Sequence, residues 1–182
     1  FLVFGVFLIR SGASDFFTNI CLSFLGTRPG GAAKAAVGAS FITASISGSA
    51  SANVAITGNI TIPMMIRTGY RPAVAAGIEA AASTGGTVMP PVMGAAAFIM
   101  AEFLNIPYTD IVVAAIGPAF LYYLAVWLGV DLYARRTGLQ PTPRSEMPEP
   151  AEFLAPDKSI PLFLPIAAMV YFLFNGYTPS FA

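Results

Sequence analysis

Histidine is absent from this chain, and cysteine occurs once, at Cys21. The first absence removes imidazole chemistry, from general-base catalysis to most zinc sites. A lone cysteine supports neither an internal disulfide nor a thiolate cluster. Charge is scarce too: 10% of the 182 residues are Asp, Glu, Lys or Arg, against about 25% in an ordinary soluble domain. Nine basic and nine acidic residues cancel, so nothing points to nucleic acid. What is present is apolar. Hydrophobic residues make up 56% of the chain, and the mean hydropathy is +0.73. The composition is that of an all-α polytopic membrane protein. Phe1 lies inside one apolar run and the chain stops just past another, so the expectation is a piece of a longer polypeptide.

Lys34 and Arg67 bracket 32 consecutive uncharged residues. A spanning helix needs about 20 apolar residues. The run is too long for one helix and too short for two. Its centre, Ser47-Gly48-Ser49-Ala50-Ser51-Ala52-Asn53, is small and polar rather than oily. The economical expectation is a re-entrant helical hairpin over 31–66 with a polar, irregular tip inside the bilayer. Non-helical backbone survives at that depth only when it is buried in protein or lines a wet cavity. The plainer reading is a tightly packed pair of small-residue helices.

Residues 1–10 read as the end of a transmembrane helix, and 14–27 as an interfacial helix capped by Ser14 or Asp15. A connecting helix packed on protein fits 14–27 equally well. Residues 73–103 form a segment too long for one straight span. It is interrupted by Ser83-Thr84-Gly85-Gly86-Thr87-Val88-Met89-Pro90-Pro91. Glycine loosens a helix, and proline removes a donor and clashes with the preceding turn. Two half-helices joined by an unwound stretch are expected, a simple kink being the alternative. Residues 111–130 are uncharged and suit a transmembrane helix. Residues 131–158, with five prolines, read as a linker. Residues 159–178 read as a last transmembrane helix.

If the hairpin enters and leaves on one side, all nine basic residues fall on that side, from Arg10 to Lys158. The positive-inside rule then makes loops 26–34, 67–72 and 131–158 cytoplasmic. Loop 102–110, with Glu102 and Asp110, is periplasmic. A single crossing by 31–66 would split the basic residues between the two faces.

Half-helix ends and freed carbonyls can replace part of an ion's hydration shell. Ser47, Ser49, Ser51 and Asn53 offer neutral oxygens at the hairpin tip. Thr84 and Thr87, with carbonyls near Gly85 and Gly86, offer them at the helix break. Such donors suit sodium better than magnesium, which recruits carboxylates. Glu79, the one acid within the long apolar segments, is a candidate proton carrier or cation partner. An interfacial role, paired with Lys34 or Arg67, is the bland alternative. An intramembrane enzyme is disfavoured, since no acid, histidine or cysteine flanks a nucleophile in the tip. A channel would need a continuous polar stripe on a spanning helix, and a non-transporting scaffold would not need two matched breaks.

The strings SGSASANVAITGNITIPMMIRTGY, from Ser47, and EAAASTGGTVMPPVMGAAAFIMAEFLNIPY, from Glu79, resemble the large membrane (permease) subunit of tripartite ATP-independent periplasmic (TRAP) transporters. The similarity runs over about residues 10–139 and is nearest to the fused permeases that serve TAXI-class binding proteins. It implies half of an inverted-repeat elevator transporter of the ion transporter superfamily, in a bacterial inner membrane. It also implies a periplasmic TAXI-type binding protein and a small transmembrane subunit fused upstream as partners. Sodium is the implied coupling ion, with no other cofactor. On that pattern Ser47, Gly48, Ser49, Ser51 and Asn53, with Ser83, Thr84, Gly85 and Gly86, help build one sodium site and one wall of the substrate pocket. The implied function is import of small organic anions such as carboxylates. Proton coupling, or a carrier without a binding protein, is the near alternative.

Overall fold

The computed structural model describes residues 12–139, together with 141, 142, 147 and 171. The spans expected at 1–10 and 159–178, and most of the linker, lie outside the described residues. Within them the chain is all-helical: α1 Ala13–Leu25, α2 Gly31–Ser47, α3 Ala50–Arg67, α4 Pro72–Thr84, α5 Ala95–Leu104 and α6 Tyr108–Thr137. A short 3-10 turn, Gly85–Thr87, follows α4.

α2 is the central element. It touches α1, α3, α4, the 3-10 turn and α6. Its sequence explains why: Ala32, Ala33, Ala35, Ala36 and Ala39 are all buried, and such small side chains let neighbouring backbones come close. The main core joins Ala32, Ala33, Ala36 and Val37 of α2 to Met65 of α3, Ala75 and Ala82 of α4, and Tyr123 and Val130 of α6.

α2 and α3 run antiparallel. Ser40 lies 3.4 Å from Thr57, and Thr43 lies 2.6 Å from Asn53, across the pair. The turn between them is shorter than the seven-residue polar tip expected from sequence. Gly48 and Ser49 alone leave the helices; Ser51 and Asn53 are already in α3. The cause is local. Gly48 ends α2 in the left-handed region (φ 59°), and its N–H reaches Ala44 O at 2.9 Å. Ser49 then caps α3 at once, its side chain accepting from Ala52 N–H.

Three further boundaries differ from expectation. α1 is capped by Gly12 (φ 76°), not by Ser14 or Asp15, because the Ser14 hydroxyl reaches across to donate to Ile56 O at 3.1 Å. One face of α1 is buried, with Phe16 and Phe17 meeting edge to face, and it packs on α2. α6 runs past residue 130 to Thr137, so the linker does not begin at 131. Between Asp131 and Thr137 there is neither glycine nor proline; Gly138 ends the helix at φ 66°, and Arg135 and Arg136 sit favourably in the last turn. Its start is likewise earlier than 111, at Tyr108, directly after Pro107.

α6 is long and apolar enough to cross a membrane, with a best window of mean hydropathy 2.1. Its outer face exposes Val113, Ile116, Phe120, Leu121, Leu124 and Leu128. Its inner face is anchored by polar contacts. Tyr122 and Tyr123 donate to Ala81 O and Ala82 O at 2.8 and 2.9 Å. Near its end Asp131 accepts from Lys34 of α2 and, at 2.7 Å, from Arg135.

Candidate functional site

The hairpin turn and the interruption after α4 meet backbone to backbone. A Cβ on Gly48 would lie 1.9 Å from Met93 O, and one on Gly86 would lie 2.2 Å from the Ala44 Cβ. Only glycine permits either approach. Val92 N–H donates to Ser45 O at 3.2 Å, which ties the interruption to the end of α2. Gly94 N–H donates back to Thr87 O at 2.8 Å. The Tyr108 hydroxyl lies 2.5 Å from Val92 O and 3.1 Å from Pro91 O, holding the same loop from α6.

Above this junction opens a cleft of about 610 Å³. Residues 48–51 line one side and residues 93–97 the other, with Thr87, Val88 and Met100 between them. These are the first turns of α3 and α5, so two helix N-termini border one cavity. Unpaired N–H groups and the helix dipole make such ends attractive to anions. Among the described residues, no charged side chain lines the cleft. The Ser49 and Ser51 hydroxyls stand 3.3 Å apart at its edge.

The residues singled out from sequence divide between the cleft, the interior and, for Thr84, the surface. Gly48, Ser49, Ser51 and Thr87 line the cleft. Ser47, Asn53, Ser83, Gly85 and Gly86 are buried beneath or beside it. The Ser47 oxygen lies 3.5 Å from Ser49 N–H. Gly85 packs under the Tyr122 and Tyr123 rings, where a Cβ would approach to 2.8 Å. Thr84 is exposed, and its hydroxyl donates back to Ala80 O at 2.7 Å. The tyrosine hydroxyls already engage Ala81 O and Ala82 O, so the last turn of α4 has fewer carbonyl lone pairs free for an ion.

Asn53 and Ser83 belong to a buried polar network centred on Glu79. Asn53 Nδ2 donates to Ser83 Oγ at 2.9 Å, and Ser83 Oγ lies 3.3 Å from Glu79 Oε1. Ser40 (3.1 Å) and Thr57 also donate to Oε1, and Thr61 donates to Oε2 at 2.6 Å. Glu79 is fully buried. The expected interfacial pairing with Lys34 or Arg67 is not made, because Lys34 is taken by Asp131. Four donors or relays, Ser40, Thr43, Thr57 and Thr61, were missed from sequence. Their signal was spacing: 40, 43 and 47 share one face of α2, and 53, 57 and 61 share one face of α3. Residues 79 and 83 complete the set on α4. A buried acid needs hydrogen-bond partners, and hydroxyls at that period are where they come from.

Residues 1–182 match the family model described as tripartite ATP-independent periplasmic transporter, DctM component. The chain is 32% identical over 149 residues to the C4-dicarboxylate TRAP transporter large permease protein DctM of Pseudomonas aeruginosa, covering 82% of the chain and 34% of that protein. It is 42% identical over 91 residues to the isethionate TRAP transporter permease protein DctMQ of Oleidesulfovibrio alaskensis, covering 50% of the chain and 14% of the relative. Against the sialic acid TRAP transporter permease protein SiaT of Haemophilus influenzae it is 28% identical over 145 residues, 80% of the chain and 23% of that protein. The chain thus spans a minor part of the length of these relatives. The matched family and the helical architecture agree: this chain belongs to the DctM component of the tripartite ATP-independent periplasmic transporters, an integral membrane permease family.

Proposed function

We propose that the chain forms about half of the transport domain of a secondary carrier that imports small organic anions, handed over by a periplasmic binding protein and driven by a sodium gradient. The observation that carries this reading is the cleft bordered by the first turns of α3 and α5. An anionic group is stabilised there by N–H groups and helix dipoles, with no fixed cation among the described residues to make release costly. Isethionate, C4-dicarboxylate and sialic acid, named for three relatives, each carry such a group. The hairpin is re-entrant in this reading and moves with the cleft as an elevator. Its antiparallel arms bring Arg28 and Lys34 to the same end as Arg67 and Arg71. The Lys34–Asp131 pair brings the end of α6 there too, in keeping with a cytoplasmic side that holds the basic loops.

Sodium fits the donor set in kind. Ser47, Ser49, Ser51, Asn53 and Thr87 supply neutral oxygens around the hairpin turn, and sodium accepts such ligands without a carboxylate. The soluble partner is a TAXI-type protein and the small membrane subunit is fused upstream, on the strength of the resemblance in the strings from Ser47 and Glu79. The test is uptake by the full-length transporter with its binding protein in proteoliposomes. Uptake is expected to collapse when the sodium gradient is replaced by potassium, and Asn53→Ala is expected to raise the sodium needed. Unchanged uptake in potassium would refute the coupling.

A further inference from the structure

Glu79 has no cationic partner among the described residues, yet it is fully buried and meets four hydroxyls. We propose that Glu79 is a positioning residue. Acting as a carboxylate, which only accepts, it fixes the direction of a hydrogen-bond chain ending at Asn53, and thereby decides which end of the Asn53 amide is oxygen.

Proton counting carries the inference. A hydroxyl has one proton to give, and the two ends of an asparagine amide have nearly the same shape but opposite polarity. Two complete arrangements join Thr43, Asn53 and Ser83. In the first, Ser83 donates to Glu79 Oε1 across 3.3 Å, and its lone pairs accept from Asn53 Nδ2 at 2.9 Å. Asn53 Oδ1 then faces Thr43, whose hydroxyl donates to it at 2.6 Å. In the second, the amide is turned over. Ser83 donates to the oxygen of Asn53, the Asn53 nitrogen donates to Thr43, and Thr43 turns its proton to Ala39 O, 2.8 Å away. No group is left unpaired in either case, so packing alone does not choose. Glu79 chooses, because the first arrangement gives it Ser83 as a donor and the second does not. A charge-assisted hydrogen bond is about twice as strong as a neutral one.

Glutamine at this position would remove the bias. When its amide nitrogen takes the Oε1 place it donates to Ser83 and frees the Ser83 proton for Asn53, so both directions of the chain become available. The consequence for a cation rests on the coupling reading above, since a cation beside Asn53 needs its oxygen and is repelled by its N–H₂ group.

The experiment separates the two ideas. Unfolding of the full-length transporter in detergent and potassium buffer is measured for Glu79→Gln, Asn53→Ala and the pair, then for the same set carrying Ser83→Ala. The expected result is a coupling of about fivefold or more in the unfolding equilibrium between Glu79 and Asn53, lost once Ser83 is alanine. Thr61→Val, which touches the other Glu79 oxygen, is expected to add independently to Asn53→Ala. Additive effects of Glu79→Gln and Asn53→Ala, or a coupling that persists without Ser83, would overturn the proposal. If Asn53→Ala gives no folded protein, Thr43→Val takes its place, because the chain runs on to Thr43. Uptake is the second readout: Glu79→Gln is expected to raise the half-saturating sodium concentration about tenfold. A Ser83-dependent coupling with an unmoved sodium response would keep the positioning role and remove Asn53 from the cation site.

Discussion

Gly48→Ala is the sharpest test of how the hairpin turn sits on the interruption after α4. The residue has φ +59°, where an L side chain costs roughly 1–2 kcal/mol. The new methyl would also lie 1.9 Å from Met93 O and 2.9 Å from the Met93 carbonyl carbon. The obstacle is backbone and cannot swing aside like a flexible side chain. Loop 88–94 has to retreat by about 1.5 Å before the contact is ordinary, a strain of about 1–3 kcal/mol. That retreat stretches the Val92 N–H bond to Ser45 O, for about 1 kcal/mol more. Together the loss is about 3–6 kcal/mol, a large part of the 5–15 kcal/mol typical of a whole domain. The assay is the unfolding midpoint of the full-length protein in detergent, with uptake measured on the fraction that remains folded. A marked fall in midpoint and at least about a tenfold loss of uptake are expected. Gly77→Ala serves as the comparison: it lies inside α4 with nothing within 4 Å of its added carbon, and it should stabilise by up to about 1 kcal/mol. A Gly48→Ala protein that melts and transports like wild type would show that the turn and the loop do not share this contact.

Asp131→Asn should destabilise more than Arg135→Ala, because it strands the buried Lys34 ammonium while the second change removes an exposed partner; thermal unfolding of the two variants decides the order. Cys21 is buried and its thiol is pushed up to about 11, so the reactive thiolate is scarce at neutral pH. Wild-type protein should therefore resist maleimide at pH 7. A cysteine introduced at Asn105 then reports topology cleanly, with labelling expected from the periplasm alone; labelling from the cytoplasm would overturn the orientation.

The local breaks were legible because their chemistry is local. Gly85-Gly86 and Pro90-Pro91 announce where α4 must stop, and Gly48 where α2 must. The length of the hairpin turn was not legible. Hydroxyl-rich sequence suggests irregular backbone, but Ser49 used its oxygen to start a helix, and Ser51 and Asn53 continued it. The extent of α6 was obscured by reading Asp131 as the start of a polar linker. Its carboxylate is instead held by Lys34, 97 residues earlier, a pairing invisible until the helices are placed. The Glu79 network lay between these cases. The stripes at 40/43/47 and 53/57/61 were on the page, but their convergence on one acid needed the antiparallel register of α2 and α3.

The tyrosines at 122 and 123 bear on how heavy the travelling part of the proposed carrier would be. They clip α6 to the last turn of α4, while Lys34 and Asp131 rivet its far end to the start of α2. If the cleft moves by the proposed elevator stroke, the stroke either drags this 30-residue rod through the lipid as luggage or snaps all three fastenings on every cycle.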